Sequence, residues 1–186
     1  MKRQLLFVYG AGEEAYDEDR KMLESLRDAL GGGYETRYPK MPEEESPTYA
    51  AWRDRIAGEL AELDGEVFLV GHSLGASILL KYISEDRPVT PIAGMFLVAP
   101  PYWGVEDWEV DEYVLQDDFG STFPENLPMF FYHSRDDEWV PFAHLAIYAE
   151  KVPQARFRGF DGRGHQFDDD LSEVAHDIAS LERSGS

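Results

Sequence analysis

Two stretches of this 186-residue chain, 66–70 (EVFLV) and 92–98 (IAGMFLV), are nearly unbroken in hydrophobicity, and they constrain the fold most strongly. A strand that is apolar on both faces must be covered on both faces, as a central strand of a parallel sheet is. Four further short runs rich in β-branched or aromatic residues accompany them, at 4–9 (QLLFVY), 34–38 (YETRY), 128–133 (PMFFYH) and 155–160 (ARFRGF). Between the runs the apolar spacing changes to the helical period. Met22, Leu23, Leu26 and Leu30 mark one helix, and Trp52, Ile56, Leu60 and Leu63 a second. Ile78, Leu79, Tyr82 and Ile83 mark a third, Phe142, Leu145 and Tyr148 a fourth, and Leu171, Val174, Ile178 and Leu181 the last. Ser46 and Pro47 are expected to open the second helix as its cap and first helical residue. The alternation predicts an α/β fold, a three-layer α/β/α sandwich around a mostly parallel six-stranded sheet.

No internal repeat and no linker rich in Pro, Gly or Ser divides the chain, so we expect a single domain over 1–183 with a frayed tail at 184–186. The segment 100–126, rich in aromatics and acids but weakly periodic, is expected to be a covering loop with a short helix. The opening MKRQLLFVYGAG superficially resembles a signal peptide, but its apolar run is too short, and it is read as the first strand. No stretch approaches the ~20 apolar residues of a membrane span. A cytoplasmic protein without membrane insertion is the expectation.

Charge narrows the partners. With 37 acidic against 17 basic side chains, the formal net charge of -20 repels phosphate backbones and anionic surfaces, which argues against nucleic acid. The absence of cysteine removes disulfides and thiolate metal sites.

Ligands of open parallel sheets bind beyond the carboxyl ends of the strands. Those ends carry Tyr9-Gly10-Ala11-Gly12, then Gly71-His72-Ser73-Leu74-Gly75, then His133-Ser134-Arg135-Asp136-Asp137, then Asp161-Gly162-Arg163-Gly164-His165. A serine, two acids and a histidine therefore arrive in that order. A serine hydroxyl becomes a nucleophile when an imidazole takes its proton, and the imidazole needs a carboxylate to fix its tautomer and support its charged form. Glycines two residues either side of Ser73 suit a sharp strand-to-helix turn that packs against its neighbours. The bland reading of the same stretch is a glycine-rich turn whose serine caps a helix.

The pattern G-x-S-x-G between strand and helix, followed by Asp before Val140-Pro141 and by His165 after a Gly-rich turn, resembles the α/β-hydrolase superfamily over residues 4–183. Within it the chain is most similar to small lidless serine hydrolases of the retinoblastoma-binding protein 9 type. The resemblance implies a minimal α/β-hydrolase fold with Ser73 as nucleophile and His165 as base. It selects Asp137, four residues before the proline, over Asp136 as the catalytic acid. It implies an oxyanion hole from the N–H groups of Leu74 and Ala11. Tyr9 stands where many relatives carry a histidine.

The remaining candidates have milder readings. His72 is expected to point away from the site and to serve packing, His133 to make a structural hydrogen bond, and Glu138 to be a solvated charge. His144 and His176 fall within helices. No metal-ligand spacing such as H-x-x-x-H occurs, so neither a metal nor another cofactor is expected. Tyr102, Trp103, Trp108, Trp139, Phe142 and Phe167 fall at the presumed active end, and Tyr102 and Trp103 are carried as substrate-binding candidates. The expected activity is hydrolysis of a small-molecule acyl substrate, a carboxylic ester of small or medium size. An amidase, peptidase or acyltransferase with the same residues, or a non-catalytic binding module on this fold, are the alternatives.

Overall fold

The computed structural model describes residues 2–184, with side chains through residue 182. Among the described residues six strands form one sheet: β1 (Arg3–Val8), β2 (Tyr34–Arg37), β3 (Val67–His72), β4 (Ile92–Val98), β5 (Met129–Ser134) and β6 (Arg156–Phe160). They lie in the order β2-β1-β3-β4-β5-β6, and every neighbouring pair is parallel. The unbroken apolar runs occupy the middle, where β3 is buried at every residue. Six helices accompany them among the described residues: α1 (Ala15–Leu30), α2 (Tyr49–Ala61), α3 (Leu74–Glu85), α4 (Phe119–Thr122), α5 (Ala143–Lys151) and α6 (Ser172–Ser184). All but α4, the short helix of segment 100–126, match the expected periods, with Leu63 just beyond α2 and Phe142 just before α5. Of the expected tail, Ser184 closes α6, and residues 185–186 lie outside the described residues.

Helices cover both faces of the sheet. α1 packs on α6, while α2 and α4 pack on α3. Aromatic stacking extends the core across the strands, with Phe96 on Phe130 at 5.2 Å and Phe131 on Phe157 at 4.9 Å between ring centroids. At the sheet's far edge the Arg158 guanidinium grips the buried Asp177 of α6 at 2.6 and 2.7 Å, and Tyr132 donates to the same carboxylate at 2.8 Å.

The start of α2 differs from expectation. Thr48, in an extended conformation, is the cap: its hydroxyl accepts from the Ala51 N–H at 3.3 Å. Ser46 instead ends a turn on Glu43, and the Pro47 carbonyl accepts from the Tyr113 hydroxyl. Threonine is a strong N-cap, though ranked below serine, and its position two residues later leaves Pro47 free to receive the following loop. Residues 100–126 do form a covering loop, with a 3₁₀ turn at Asp111–Tyr113 and the short α4. The loop is tied down by the Tyr49 N–H on Glu112 at 2.7 Å and by Lys81 on the Val114 carbonyl at 2.7 Å. Among the described residues no helix is long and apolar enough to cross a membrane.

The chain reverses its winding direction between β1 and β3. Crossovers from these two strands leave toward β2 on one side and β4 on the other, so a crevice opens at their carboxyl ends. Gly10 and Ser73 stand at its mouth.

Candidate active site

Ser73 adopts φ 53° and ψ -124°, a conformation that costs a non-glycine residue of order 1–3 kcal/mol and persists only where its surroundings hold it. The holding groups are evident. The Ser73 N–H donates to the Val98 carbonyl at 2.9 Å, and its own carbonyl accepts from the Ala76 and Ser77 N–H groups at the start of α3. The flanking glycines are required by close approach. A Cβ on Gly71 would stand 2.6 Å from Ala76 Cα, and one on Gly75 2.3 Å from the carbonyl oxygens of Val8 and Tyr9. Ser73 does not cap α3 through its side chain. The turn projects that side chain over the sheet.

The adjacent acids at the end of β5 divide the work. Asp137 Oδ1 accepts from the N–H groups of Trp139 and Val140 at 2.9 and 2.8 Å, and its Oδ2 faces His165 Nδ1 at 2.8 Å and His133 Nε2 at 3.2 Å. Burial opposes ionisation of Asp137, yet the hydrogen bonds from His133, His165 and Val140 hold it well below the usual carboxylate range. An ionised Asp137 fixes the proton of His165 on Nδ1 and leaves Nε2 to accept. Asp136 does something else: it takes the Ser134 hydroxyl at 2.5 Å and the Gly164 N–H at 3.1 Å, which shapes the turn ahead of His165. His165 is buried, and burial above all moves its titration below the ordinary histidine value, against the pull of Asp137.

Ser73 and His165 open on one cavity of about 660 Å³. Trp103, Trp108 and Tyr113 of the covering loop line it, with Trp139, Val140, Pro47 and Leu74. The three loop rings form a cluster, Trp103 lying edge-to-face with Trp108 at 5.1 Å and tilted against Tyr113 at 4.9 Å. Glu18 and Glu138 are the acids at the surface end, and among the described residues no lysine or arginine lines the cavity.

A model of the family described as serine hydrolase matches residues 35–171, most of the chain and all of the site except its first loop and the residues of α1. The chain belongs to the serine hydrolase family. Solved structures place this serine hydrolase in the α/β-hydrolase fold. It is similar to a meta-cleavage product hydrolase (CumD) of Pseudomonas fluorescens IP01, with TM-score 0.78 at 15% identity over 99% of this chain and 92% of that one. It is also similar to the ydeN gene product of B. subtilis, with TM-score 0.77 at 19% identity over 98% of this chain and 100% of that one. A third is Est1E of Butyrivibrio proteoclasticus, with TM-score 0.75 at 16% identity over 100% and 89%. Comparison with curated protein sequences yields no match.

In this hydrolase the residues singled out from the sequence are distributed as follows. Ser73, Leu74, Ala11, His165 and Trp103 share the cavity, and Asp137 stands behind His165. The N–H groups of Leu74 and Ala11 take no partner among the described residues. Tyr102 does not line the cavity. Its ring turns into the core 5.2 Å from Tyr148, because its N–H is held by His144 Nδ1 at 2.8 Å. Phe142 and Phe167 likewise pack inward, on His133 and Phe160. His133 makes its structural bond, to the Val140 carbonyl at 2.9 Å. Glu138 is exposed but not merely solvated, since it accepts from the His165 N–H at 3.1 Å. Tyr9 is buried away from the site's chemistry and accepts from the Met41 N–H at 2.7 Å.

His72 departs furthest from expectation. Rather than pointing away, its ring lies 4.7 Å from that of His165 and bonds to Asp19 on one side and the His165 carbonyl on the other. Sequence reasoning misses Asp19, although a signal exists: it falls on the buried stripe of α1 with Ala15, Met22, Leu23 and Leu26, where a carboxylate needs a partner. Tyr113 and Gln166, which also reach the cavity, carry no comparable mark in the sequence.

Proposed function

We propose that this serine hydrolase cleaves carboxylic esters of small or medium size, with Ser73 as nucleophile, His165 as general base and Asp137 as the carboxylate that orients it. The observation that carries the reading is the 2.8 Å contact between His165 Nδ1 and Asp137 beside a strained Ser73 on the same cavity. His165 Nε2 takes the Ser73 proton as Oγ attacks the ester carbonyl, and the N–H groups of Leu74 and Ala11 receive the oxyanion. Collapse of the tetrahedral species expels the alcohol, which takes the proton back from His165. Water, deprotonated by the same imidazole, then attacks the acyl carbonyl, and His165 returns the proton to Ser73 Oγ as the acid leaves.

The cavity favours a flat, uncharged substrate. Its aromatic wall offers apolar area and edge contacts, and its acids, with no opposing lysine or arginine among the described lining residues, disfavour an anion. An aromatic acyl or alcohol group fits this chemistry, and Est1E, which is similar in fold, has been solved with ferulic acid bound. The likeness to the retinoblastoma-binding protein 9 type rests on the sequence motifs and belongs to the same proposal.

The test is fluorophosphonate labelling read by intact mass on the wild type, Ser73→Ala and His165→Ala. One adduct per chain on the wild type and none on either variant is the expected result. A folded wild type that takes no adduct overturns the reading in favour of a binding module. A panel of p-nitrophenyl and aryl esters then sizes the acyl site.

A further inference from the structure

Beneath the site lies a buried polar group that the proposed mechanism does not use. Asp19, on α1, is 2% exposed, as is His72 at the end of β3. The carboxylate accepts three hydrogen bonds: from His72 Nδ1 at 2.7 Å, from the Gly10 N–H at 3.0 Å and from the Gln166 side-chain amide at 2.9 Å. The other nitrogen of His72 lies 2.9 Å from the His165 carbonyl oxygen.

The proton positions follow from the donor inventory. A carbonyl oxygen only accepts, so His72 Nε2 carries a hydrogen. Nδ1 faces a carboxylate oxygen at 2.7 Å, so a second proton lies between them. Three donors converge on Asp19, and hydrogen bonds to a carboxylate favour its ionised form. That proton therefore belongs to the ring. Although burial disfavours charge on either partner, each holds the other ionised: Asp19 lies below the usual carboxylate range and His72 above the usual histidine range.

We infer that Asp19 and His72 are positioning residues of this active site, a buried carboxylate–imidazolium pair that anchors three loops at one point and presents a fixed positive charge to the His165 ring. This rests on the reading of His165 as base. The three loops are the oxyanion loop through Gly10, the nucleophile elbow through His72, and the base loop through the His165 carbonyl and Gln166. A single carboxylate thus ties together the pieces whose relative placement decides catalysis, where a misplacement of about 1 Å costs about 10²-fold in rate.

The charge acts on the base directly. Facing His165 are Asp137 and Glu138 from the β5–α5 loop, His133 behind Asp137, Asp19 and Glu18 from α1, and His72 from β3, with Arg163 and Asp136 at the preceding turn. The carboxylates favour imidazolium. His72, with its ring 4.7 Å away, opposes it more closely than Asp19 supports it. A general base must be neutral to accept a proton, so a lowered pKa keeps His165 active further into acid. The wild-type acid limb of kcat/KM is expected below the ordinary histidine value of about 6.5.

The test combines NMR of the ring nitrogens with pH–rate profiles. In the wild type, His72 should remain doubly protonated from about pH 5 to 8. A His72 with a single ring proton at neutral pH overturns the pair, and no variant is needed to see it. Asp19→Asn removes the charge while keeping an acceptor for Gly10, and His72→Gln keeps a donor for the His165 carbonyl. In both, the positive charge beside His165 is lost, through deprotonation of His72 in the first and its removal in the second, so the His165 titration and the acid limb should rise together. A fall in kcat/KM with an unmoved acid limb would reduce the pair to a structural strut and overturn the inference. A wild type that hydrolyses no ester sinks the ester reading alone, since the NMR titrations read the pair without turnover.

Discussion

At the scale of single residues, the division between Asp136 and Asp137 is the most consequential feature. The two are neighbours with the same side chain, yet one binds the imidazole and the other binds the Gly164 N–H that precedes it. Asp137→Asn should preserve the shape of the site but let the His165 ring hold its proton on the wrong nitrogen, with kcat lower by about 10⁴-fold. Asp136→Asn, which keeps an oxygen for Gly164, should cost less than about tenfold, on the order of one hydrogen bond. Steady-state hydrolysis of a p-nitrophenyl ester by both variants, with circular dichroism to check folding, decides between them. Equal losses would mean that His165 draws its orientation from elsewhere.

Elements matter here chiefly through their ends. β3 and α3 meet at a turn that only works because Gly71 and Gly75 let helix and sheet approach more closely than a Cβ permits. α2 is capped by Thr48, one residue after the proline whose carbonyl receives Tyr113, so the cap also seats the covering loop on the cavity. Thr48→Ala should therefore cost about 1 kcal/mol, a fall of roughly 2–4 °C in Tm for a chain of this size. It should also raise KM through Pro47 and Tyr113, with little change in kcat. Calorimetry and a substrate titration give the two readouts. An unaltered KM would show that the loop holds its place through Lys81 and Glu112 alone.

For the whole molecule, charge governs behaviour outside the core. A formal charge of -20 repels itself, while the surface ion pairs that offset it are worth about 0–1 kcal/mol each. Repulsion is summed over many carboxylates and should outweigh those few pairs. Raising NaCl from about 0.1 M to about 1 M shortens the screening length from about 10 Å to about 3 Å and should raise Tm. A fall in Tm over that range would show that ion pairs such as Arg158 with Asp177 outweigh the repulsion.

What could be read from the chain and what could not separate along a physical line. Strand and helix order, the burial of β3 and β4, and the glycine spacing around Ser73 are local patterns, written in periodicity and in the steric needs of one turn. They are legible because each is set by neighbours a few residues away. The family motif likewise distinguishes Asp137 from Asp136 by its distance from Pro141. The Asp19–His72–His165 contact joins residues 53 and 93 positions apart, and nothing local marks it beyond a carboxylate on an apolar stripe. The same holds for Tyr102, which turns into the core because His144 captures its N–H, while Tyr113 comes to the cavity by way of Pro47. Those placements depend on which surfaces the sheet order brings together. Only the folded chain, with β1 and β3 side by side and their crossovers leaving in opposite directions, decides them.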